Sequence, residues 1–354
     1  SRQNLGMFSA TISREVMDIS WVYQRDPEEI TFMEPQAGGA CRAGNIYNLL
    51  QRVLYRMAEQ GQTEYAQIPV ISLNLMGEEK HTGFRITPGL LSGGIAAGCY
   101  GDLIMCLYQQ VKPYEQNPGE TDRIRSQVEK KLCESIRRHR NGRHTREKNY
   151  RYACEVFSKV PVKPGKKKRV GITGEIYMKY SKLGNDDIES FLLRQGMEPY
   201  SGGFVNYCLY LVDTERYKAE KYQRNPIMAK ACAFVLHRLC EAQKHLLTVI
   251  GETDRFQTDL PFPELKEKVQ GILAEGCNTG DGWLIAAEVI QYVEKGCGSV
   301  LILHPFGCLV SHVCERGILQ RLHARFPDVS IQTIEYDYDQ SKTLRESRIL
   351  LAIS

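Results

Sequence analysis

The sequence predicts an α/β protein of two domains, each built on an open parallel sheet. Its 354 residues are enough for two domains at about 100–200 residues each. Short segments of strand type alternate with segments whose apolar residues recur every three or four positions, which favours parallel strands joined by crossover helices. Two prolines, a glycine and several lysines fill Val160–Lys168. Such a composition is typical of a linker, so we expect a first domain over 1–160 and a second over 161–354.

The first domain is expected to contain two strands and four helices. One helix, near residues 90–107, has almost the length of a membrane span, but Asp102 and four glycines favour a buried helix of a soluble protein. The first predicted helix, at 41–60, is expected to end before Gly61. The predicted strands are Glu29–Met33 and Ile68–Leu73, and the predicted helices lie at 41–60, 90–107, 124–136 and 150–157.

Strands and helices alternate through the second domain. The long helix that begins at Pro226 has its proline in the first turn, where the missing N–H is tolerated. This order indicates an open parallel sheet covered by helices. The predicted strands are Arg169–Gly174, Ser299–Leu303 and Val329–Ile334, and the predicted helices are Asp186–Gln195, Pro226–Ile250, Gly282–Glu294, Leu309–Phe326 and Leu344–Ile353.

The composition fits a globular protein and argues against nucleic-acid-binding, secreted and membrane proteins. Hydrophobic residues make up 42% of the chain and charged residues 25%. The 46 basic and 42 acidic residues give a net charge of +4, which is too near balance to predict nucleic-acid binding. The 12 cysteines stand singly and no secretory leader precedes them, so we expect reduced thiols in the cytoplasm and no membrane association. Since the sequence starts at Ser1 and not at Met, one expectation is a first domain truncated at its amino terminus.

The first candidate site is a glycine-rich turn at the start of the first predicted helix. Cys41 follows Gly38 and Gly39, and Arg42 and Asn45 come soon after it. The helix dipole and the free backbone N–H groups at such a position lower the pKa of a thiol, and the thiolate is the form that binds metal. The two glycines let the backbone approach a bulky inorganic group closely. The alternative is a structural cysteine buried after a tight turn.

A second candidate site follows the predicted strand Ser299–Leu303. His304–Cys308, with the sequence HPFGC, carries a cysteine to the start of the next helix, at the sheet edge where open α/β proteins bind ligands. One such cysteine in each domain could meet the other across a cleft, and Gly307 would give an inorganic group room. Cys308, His312 and Cys314 also suggest zinc, but Cys-x3-His-x-Cys is not a usual structural zinc pattern and no fourth ligand is near in the sequence.

Other polar segments are also predicted to lie at the ligand-binding edge of the sheet. Asn278, Thr279 and Gly280 form a turn before a helix, and its donors could hold a phosphate or a substrate carbonyl. An ordinary capped helix start is the alternative. Glu175 follows the first strand of the second domain, although a loop carboxylate is more often solvated. The sequence holds no Walker motif, dinucleotide fingerprint, HExxH motif or Ser-His-Asp arrangement. The last strand is followed by two more carboxylates, Asp337 and Asp339.

Six segments carry a family resemblance, and they are GGACRAGN, PVISLNLMGEEKHTGFRITPGLL, VGITGEIYMKYSKLGNDDIESFL, NTGDGW, LILHPFGCLVSH and IEYDYD. Their order and spacing resemble the 2-hydroxyacyl-CoA dehydratase superfamily. The likeness is closest to the module that is fused to, or encoded with, an ATP-dependent CoA-enzyme activase. It covers about residues 30–354, and the segments are specific in combination although each alone is weak.

The resemblance implies two flavodoxin- or Rossmann-like domains with a [4Fe–4S] cluster held by cysteines in the cleft between them. In the family, an actin-like activator hydrolyses ATP and delivers a low-potential electron to the cluster. In the dehydratases this electron forms a ketyl radical at the thioester carbonyl of an acyl-CoA, which allows a hydroxyl group to leave. Related members reduce small molecules. The chain would then be a lyase-like subunit or an ATP-coupled reductase component, and a dimer is compatible with this role.

The family's cysteines can be matched residue by residue. Its glycine-preceded cysteine matches Cys41, and its PFGC cysteine matches Cys308. Cys208 stands where relatives often have cysteine, on an apolar helix where plain packing is the alternative. Met7 stands where relatives have a further ligand cysteine, and a thioether is a poor replacement for a thiolate. This departure leaves a second hypothesis open: a cluster-free module of a larger activase-type protein that binds a partner or an acyl-CoA without catalysis.

Overall fold

The computed structural model of the chain describes residues 32–35, 46–61, 63–73, 88–337 and 339–354. The predicted glycine-rich turn of the first domain lies outside the described residues, as does the segment around Met7. The predicted site residues that fall outside are Gly38, Gly39, Cys41, Arg42 and Asn45. The site at Cys308 and the turn at Asn278 lie within the described ranges.

A small two-stranded parallel sheet comes first in the chain. Strand β1 (Phe32–Pro35) pairs with β2 (Val70–Leu73). Helix α1 (Ile46–Glu59) lies between them in sequence, and a 3₁₀ turn (Thr63–Gln67) leads towards β2. The strand–helix–strand order expected for a parallel pair is therefore confirmed. A separate small core holds these elements together through Leu50, Leu54, Tyr65, Ile68 and Val70.

The main sheet has four parallel strands in the order β4–β3–β5–β6. β5 is buried along its whole length, as expected for a central strand that is covered on both faces. The open parallel sheet predicted for the second half of the chain is confirmed. Its strands are β3 (Arg169–Gly174), β4 (Glu198–Ser201), β5 (Ser299–Pro305) and β6 (Ser330–Tyr336).

Three α-helices follow the small sheet in the sequence and precede the first strand of the main sheet. They are α2 (Pro88–Val111), α3 (Glu120–Arg137) and α4 (Arg143–Ser158). The glycine-rich segment predicted as a buried helix is α2, in which Leu103 and Leu107 are fully buried. Within the described ranges, no helix combines the length and the apolar character needed to cross a membrane.

Helices join the strands of the main sheet and cover both of its faces. β3 is followed by two short helices, β4 by four, β5 by a π-helical turn and a helix, and β6 by the last helix. In chain order these are α5 (Ile176–Tyr180), α6 (Ile188–Arg194), α7 (Phe204–Lys221), α8 (Pro226–Gly251), α9 (Phe262–Lys268), α10 (Gly282–Glu294), the π-turn (Ser311–Glu315), α11 (Arg316–Arg325) and α12 (Lys342–Ile353).

Alternate residues of the strands face two different cores. Leu301 of β5 belongs to the core formed with α5, α6 and α12, whereas Ile302 belongs to the larger core on the other face. The larger core also takes in Leu103 of α2 and Phe157 of α4, together with Trp283 of α10. It therefore contains residues from both sides of the predicted linker.

The bounds of the predicted elements differ in their accuracy. Strand Arg169–Gly174 and helix Gly282–Glu294 have the predicted ends. β4, α5 and α9 were not predicted, because β4 has four residues including Pro199 and the two helices have only five and seven residues. The helix expected over Leu309–Phe326 includes the π-turn before α11.

Candidate functional site at the switch point of the main sheet

The strand order places a topological switch point between the carboxyl ends of β3 and β5. The chain leaves β3 towards β4 on one side, and β5 then pairs with β3 on its other side. Connections that depart in opposite directions leave space between adjacent strand ends, and ligands of open α/β sheets bind there. Glu175 follows β3 and Cys308 comes three residues after the end of β5. The structure thus brings these two sequence-predicted residues to the same edge.

The loop between β5 and the π-turn holds Cys308 in place. The Phe306 N–H donates to the Tyr336 carbonyl at 2.8 Å, which ties this loop to β6. Gly307 has a positive φ of 72°, a conformation that suits glycine. The Cys308 N–H then donates to the Pro305 carbonyl at 3.2 Å, which closes the turn. The cysteine is left partly buried at the sheet edge.

The thiol of Cys308 is less acidic than its position at a helix start suggests. Burial raises the pKa of the Cys308 thiol, while hydrogen bonds from Ser311 act in the opposite direction. The carboxylates of Glu175 and Glu315 raise this pKa further by charge repulsion. In the metal-free protein, Cys308 is therefore a protonated thiol at neutral pH. A bound metal centre would instead favour the thiolate through its own charge.

Two buried carboxyl groups, Glu315 and Asp281, and the half-buried Glu175 surround this edge. The Glu175 carboxylate accepts the Met178 N–H at 3.0 Å and caps α5. Glu315 accepts the Ser311 hydroxyl at 2.7 Å, and burial raises the pKa of Glu315 to about 8. Burial also raises the pKa of Asp281 well above its ordinary value, and the neighbouring charge of Glu175 adds to this effect. Glu315 consequently holds a proton for the most part at neutral pH, and for Asp281 burial favours the protonated form.

Two more cysteines lie near Cys308. Cys314, in the π-turn, is close enough to Cys277 and Cys308 for the charges of their thiolates to raise its pKa, although burial is the larger cause. Cys277 comes directly before the turn that starts α10. The sequence analysis did not select Cys277. Its position beside the Asn278 turn, which was predicted to lie at the ligand edge, could have pointed to it.

The turn at Asn278–Gly280 packs against the helix that follows Cys308. Gly280 has a φ of 56°, and a Cβ at this position would lie 2.7 Å from Cγ2 of Val310. The Asn278 side chain is 7% exposed, and its Nδ2 has no hydrogen-bond partner among the described residues. The turn and the Cys308 loop therefore meet, and a buried amide donor remains available there. Binding roles for Thr279 and Gly280 stay predictions.

The other predicted residues of this edge lie farther out. Asp339 is exposed after β6, and the Asp337 carbonyl accepts the Gln340 N–H at 3.2 Å. Cys208 lies on α7, where burial raises the pKa of its thiol to about 11. The Asp102 charge, on α2, contributes to that rise, so Cys208 faces the α2–α7 contact.

The described residues contain one group of three side chains with the spacing of single-ion ligands, His304, His312 and Glu335. The set Cys308, His312 and Cys314 does not meet that spacing. The sulfur atoms of Cys277, Cys308 and Cys314 are likewise farther apart than three ligands of one ion.

The fold defines an α/β protein with a topological switch point between β3 and β5 of an open parallel sheet. Comparison with known proteins adds no family, because no protein-family model, curated protein or solved structure matches the chain.

Proposed function

We propose that the chain is an iron–sulfur protein resembling the subunits of 2-hydroxyacyl-CoA dehydratases. In this role it accepts a low-potential electron from an ATP-dependent activator and uses it for radical dehydration or reduction of a small or CoA-linked substrate. The observation that carries the proposal is the position of Cys308, which is partly buried in a glycine turn at the switch point with Cys277 and Cys314 nearby. The family resemblance of the HPFGC segment supports the same residue.

The proposed centre at this edge is a multi-iron cluster and not a single ion. Each cysteine of a [4Fe–4S] site ligates a different iron atom, so the sulfur atoms lie farther apart than the ligands of one metal ion. Cys277, Cys308 and Cys314 do not have the spacing of ligands of one ion. Cys308 is proposed as the ligand from the second half of the chain and Cys41 as the ligand from the first half. When bound, the cluster would supply one-electron chemistry at this edge.

The chain's own carboxyl groups would tune this chemistry. Negative charge near an iron–sulfur centre lowers its reduction potential, and Glu175 lies close enough to Cys308 to have this effect in its ionised form, although burial raises the pKa of Glu175. Burial raises the pKa of Glu315 to about 8 and that of Asp281 well above its ordinary value, which favours the protonated forms of both. A departing hydroxyl group leaves as water only if it receives a proton, and a buried neutral carboxyl can donate one. These two residues are therefore proposed as proton donors beside the electron-accepting site.

The proposed partner is an actin-like activator that hydrolyses ATP, with acyl-CoA as a candidate substrate class and a dimer as a candidate assembly. The cysteines in the described part of the chain are free, which suits a reducing cytoplasm and anaerobic conditions. The donors of the Asn278 turn are proposed to line the substrate side of the switch point, since the Asn278 amide is buried there without a partner among the described residues.

Visible absorption of the full chain after anaerobic iron–sulfur reconstitution tests the proposal. A brown protein with broad absorption at the blue end of the spectrum is expected, and this absorption should bleach on reduction. A colourless protein that is still folded by circular dichroism contradicts the proposal.

The second candidate is a cluster-free binding module of a larger activase-type protein. The raised pKa of the Cys308 thiol favours it, because a protonated thiol is not poised to bind metal. This candidate predicts that Cys308→Ser leaves folding and partner binding intact. Loss of bound iron in that variant would exclude it.

A further inference from the structure

A second cluster of ligating side chains lies at the β5–β6 end of the sheet, next to the loop that carries Cys308. His304 and Glu335 are direct neighbours in the register of β5 and β6. His312 projects from the π-turn that follows β5, and its Nε2 lies 3.9 Å from Glu335 Oε2. One ligand atom from each of the three side chains falls within 4.8 Å of the other two. Two strands and a π-turn thus bring two imidazoles and one carboxylate together.

The state of His304 indicates a missing ligand. The residue is fully buried, and within the described part of the chain its Nε2 has no hydrogen-bond partner. An unpaired buried polar atom is unfavourable, because it has lost its hydrogen bonds with water. Its Nδ1 lies 3.4 Å from the Pro305 carbonyl oxygen. A carbonyl at that nitrogen favours the tautomer with the proton on Nδ1, which leaves the lone pair of Nε2 free for a metal, and metal-binding histidines commonly have this arrangement.

Two contacts of the metal-free protein compete with an ion. The Gly307 N–H donates to Nε2 of His312 at 3.2 Å. Arg316 Nη2 donates to Glu335 Oε2 at 2.8 Å, and its guanidinium repels a cation. Both donors are replaceable, because Arg316 is 44% exposed and the Gly307 amide belongs to a turn. The competition predicts that removing the arginine strengthens metal binding.

We propose that His304, His312 and Glu335 bind one divalent first-row transition-metal ion. Two histidines and one carboxylate are a donor set used for Zn²⁺ and for Fe²⁺, with the remaining coordination positions open to water or a small ligand. The site does not include a cysteine and does not depend on an iron–sulfur cluster at Cys308. Because His312 gives up its contact with the Gly307 amide when it binds metal, the ion also changes the loop that carries Cys308.

Cobalt titration of the full chain tests the site. Co²⁺ is added to metal-free protein under anaerobic conditions, and binding is followed by calorimetry and by visible absorption of the ion. One Co²⁺ per chain is expected, with no thiolate charge-transfer band, and Zn²⁺ should displace it. His312→Ala and Glu335→Gln should each weaken binding by more than about tenfold, since even outer-shell changes cost 10–100-fold. His323→Ala, an exposed histidine on α11, is the matched control and should not change the affinity.

Three results would overturn the proposal. The first is equal affinity of the parent and His312→Ala, provided both are folded by circular dichroism. The second is a thiolate charge-transfer band that disappears in Cys308→Ser, because the ion would then be bound by cysteine. The third is Arg316→Gln binding Co²⁺ no more tightly than the parent. Since Co²⁺ binding is expected to persist in Cys308→Ser, failure of the metal site and failure of the iron–sulfur proposal are separate outcomes.

Discussion

Lys179 Nζ lies 2.7 Å from Glu288 Oε1, and both side chains are 3% exposed. The second carboxylate oxygen of Glu288 accepts the Thr173 hydroxyl at 2.5 Å. This network joins β3, α5 and α10 directly behind the carboxyl edge of the sheet. A buried, hydrogen-bonded ion pair therefore ties β3, the strand that leads to Glu175, to two of the helices that pack on the sheet.

Breaking this pair is expected to destabilise the protein strongly. Lys179→Met leaves the Glu288 carboxylate buried without its cation, and loss of one partner of a buried pair costs about 3–5 kcal/mol. Lys182→Met is the control, because Lys182 is 63% exposed and its pair with Asp187 is 3.4 Å long; such surface pairs contribute about 0–1 kcal/mol. The measurement is the free energy of unfolding in urea. Equal losses in the two variants would contradict a structural role for the buried pair.

Gly203, which lies between α2 and α7, is expected to be required because the structure has no space for a larger side chain there. A Cβ at Gly203 would overlap the Asp102 carboxylate, with Cγ of Asp102 at 2.7 Å. Gly203→Ala should therefore lower the free energy of unfolding by about 1–3 kcal/mol, the usual cost of forced overpacking. The cause is steric, because φ at Gly203 is −67°, which alanine adopts without strain.

Gly142→Ala is the matched control for that variant. Gly142 also occupies a helix N-cap, with φ −64° and ψ 156°, close to the values of −67° and 149° at Gly203. A Cβ at Gly142 would have no atom of the described residues within 4 Å. Thermal unfolding should therefore change little in Gly142→Ala. A similar loss in both variants would show that the N-cap position, and not Asp102, limits the substitution.

Asp102 is expected to make stability depend on pH. Burial raises its pKa from 3.8 to about 7, although its carboxylate accepts the N–H groups of Phe204 and Val205 at 2.7 and 2.9 Å. The folded state therefore holds this proton more tightly than the unfolded state. Stability should fall as pH rises through the window between the two pKa values, by at most about 1.4 kcal/mol per pH unit for one proton.

Asp102→Asn isolates this contribution, since asparagine does not ionise. The free energies of unfolding of wild type and variant, measured in urea from pH 5 to pH 8, should differ by an amount that changes with pH, with the wild type losing more as the pH rises. Parallel pH profiles would mean that Asp102 is not the responsible group.

The thiol of Cys308 is expected to react slowly in the metal-free protein. Burial and the nearby carboxylates of Glu175 and Glu315 raise its pKa, so little thiolate is present at neutral pH. Exposed Cys133, on α3, provides the comparison. Iodoacetamide labelling at pH 7 followed by peptide mass spectrometry should modify Cys133 first. Faster modification of Cys308 would show that the helix start, and not burial, controls its acidity.

Local sequence patterns predicted the parts of the site that depend on a single segment. The apolar run at Ser299–Leu303 and the glycine turn after it were enough to predict a strand followed by Cys308 at the ligand edge. The buried helix at 90–107 was predicted from its glycines and from Asp102, although the role of Asp102 at the start of α7 was not.

Features that depend on strand order could not be predicted in this way. No local pattern specifies that β3 lies between β4 and β5, and this order creates the switch point. The pairing of His304 with Glu335 also requires the register of β5 and β6. The raised pKa of Cys308 results first from burial and then from the charges of Glu175 and Glu315, so a helix-start argument alone gave the opposite direction.

The most direct test of the account is the content of iron and acid-labile sulfide per chain after anaerobic reconstitution, with wild type, Cys308→Ser and Cys133→Ser treated in parallel. The account predicts bound iron and sulfide in wild type and in Cys133→Ser, and loss of most of both in Cys308→Ser. Equal iron and sulfide in all three proteins, or none in folded wild type, would contradict it.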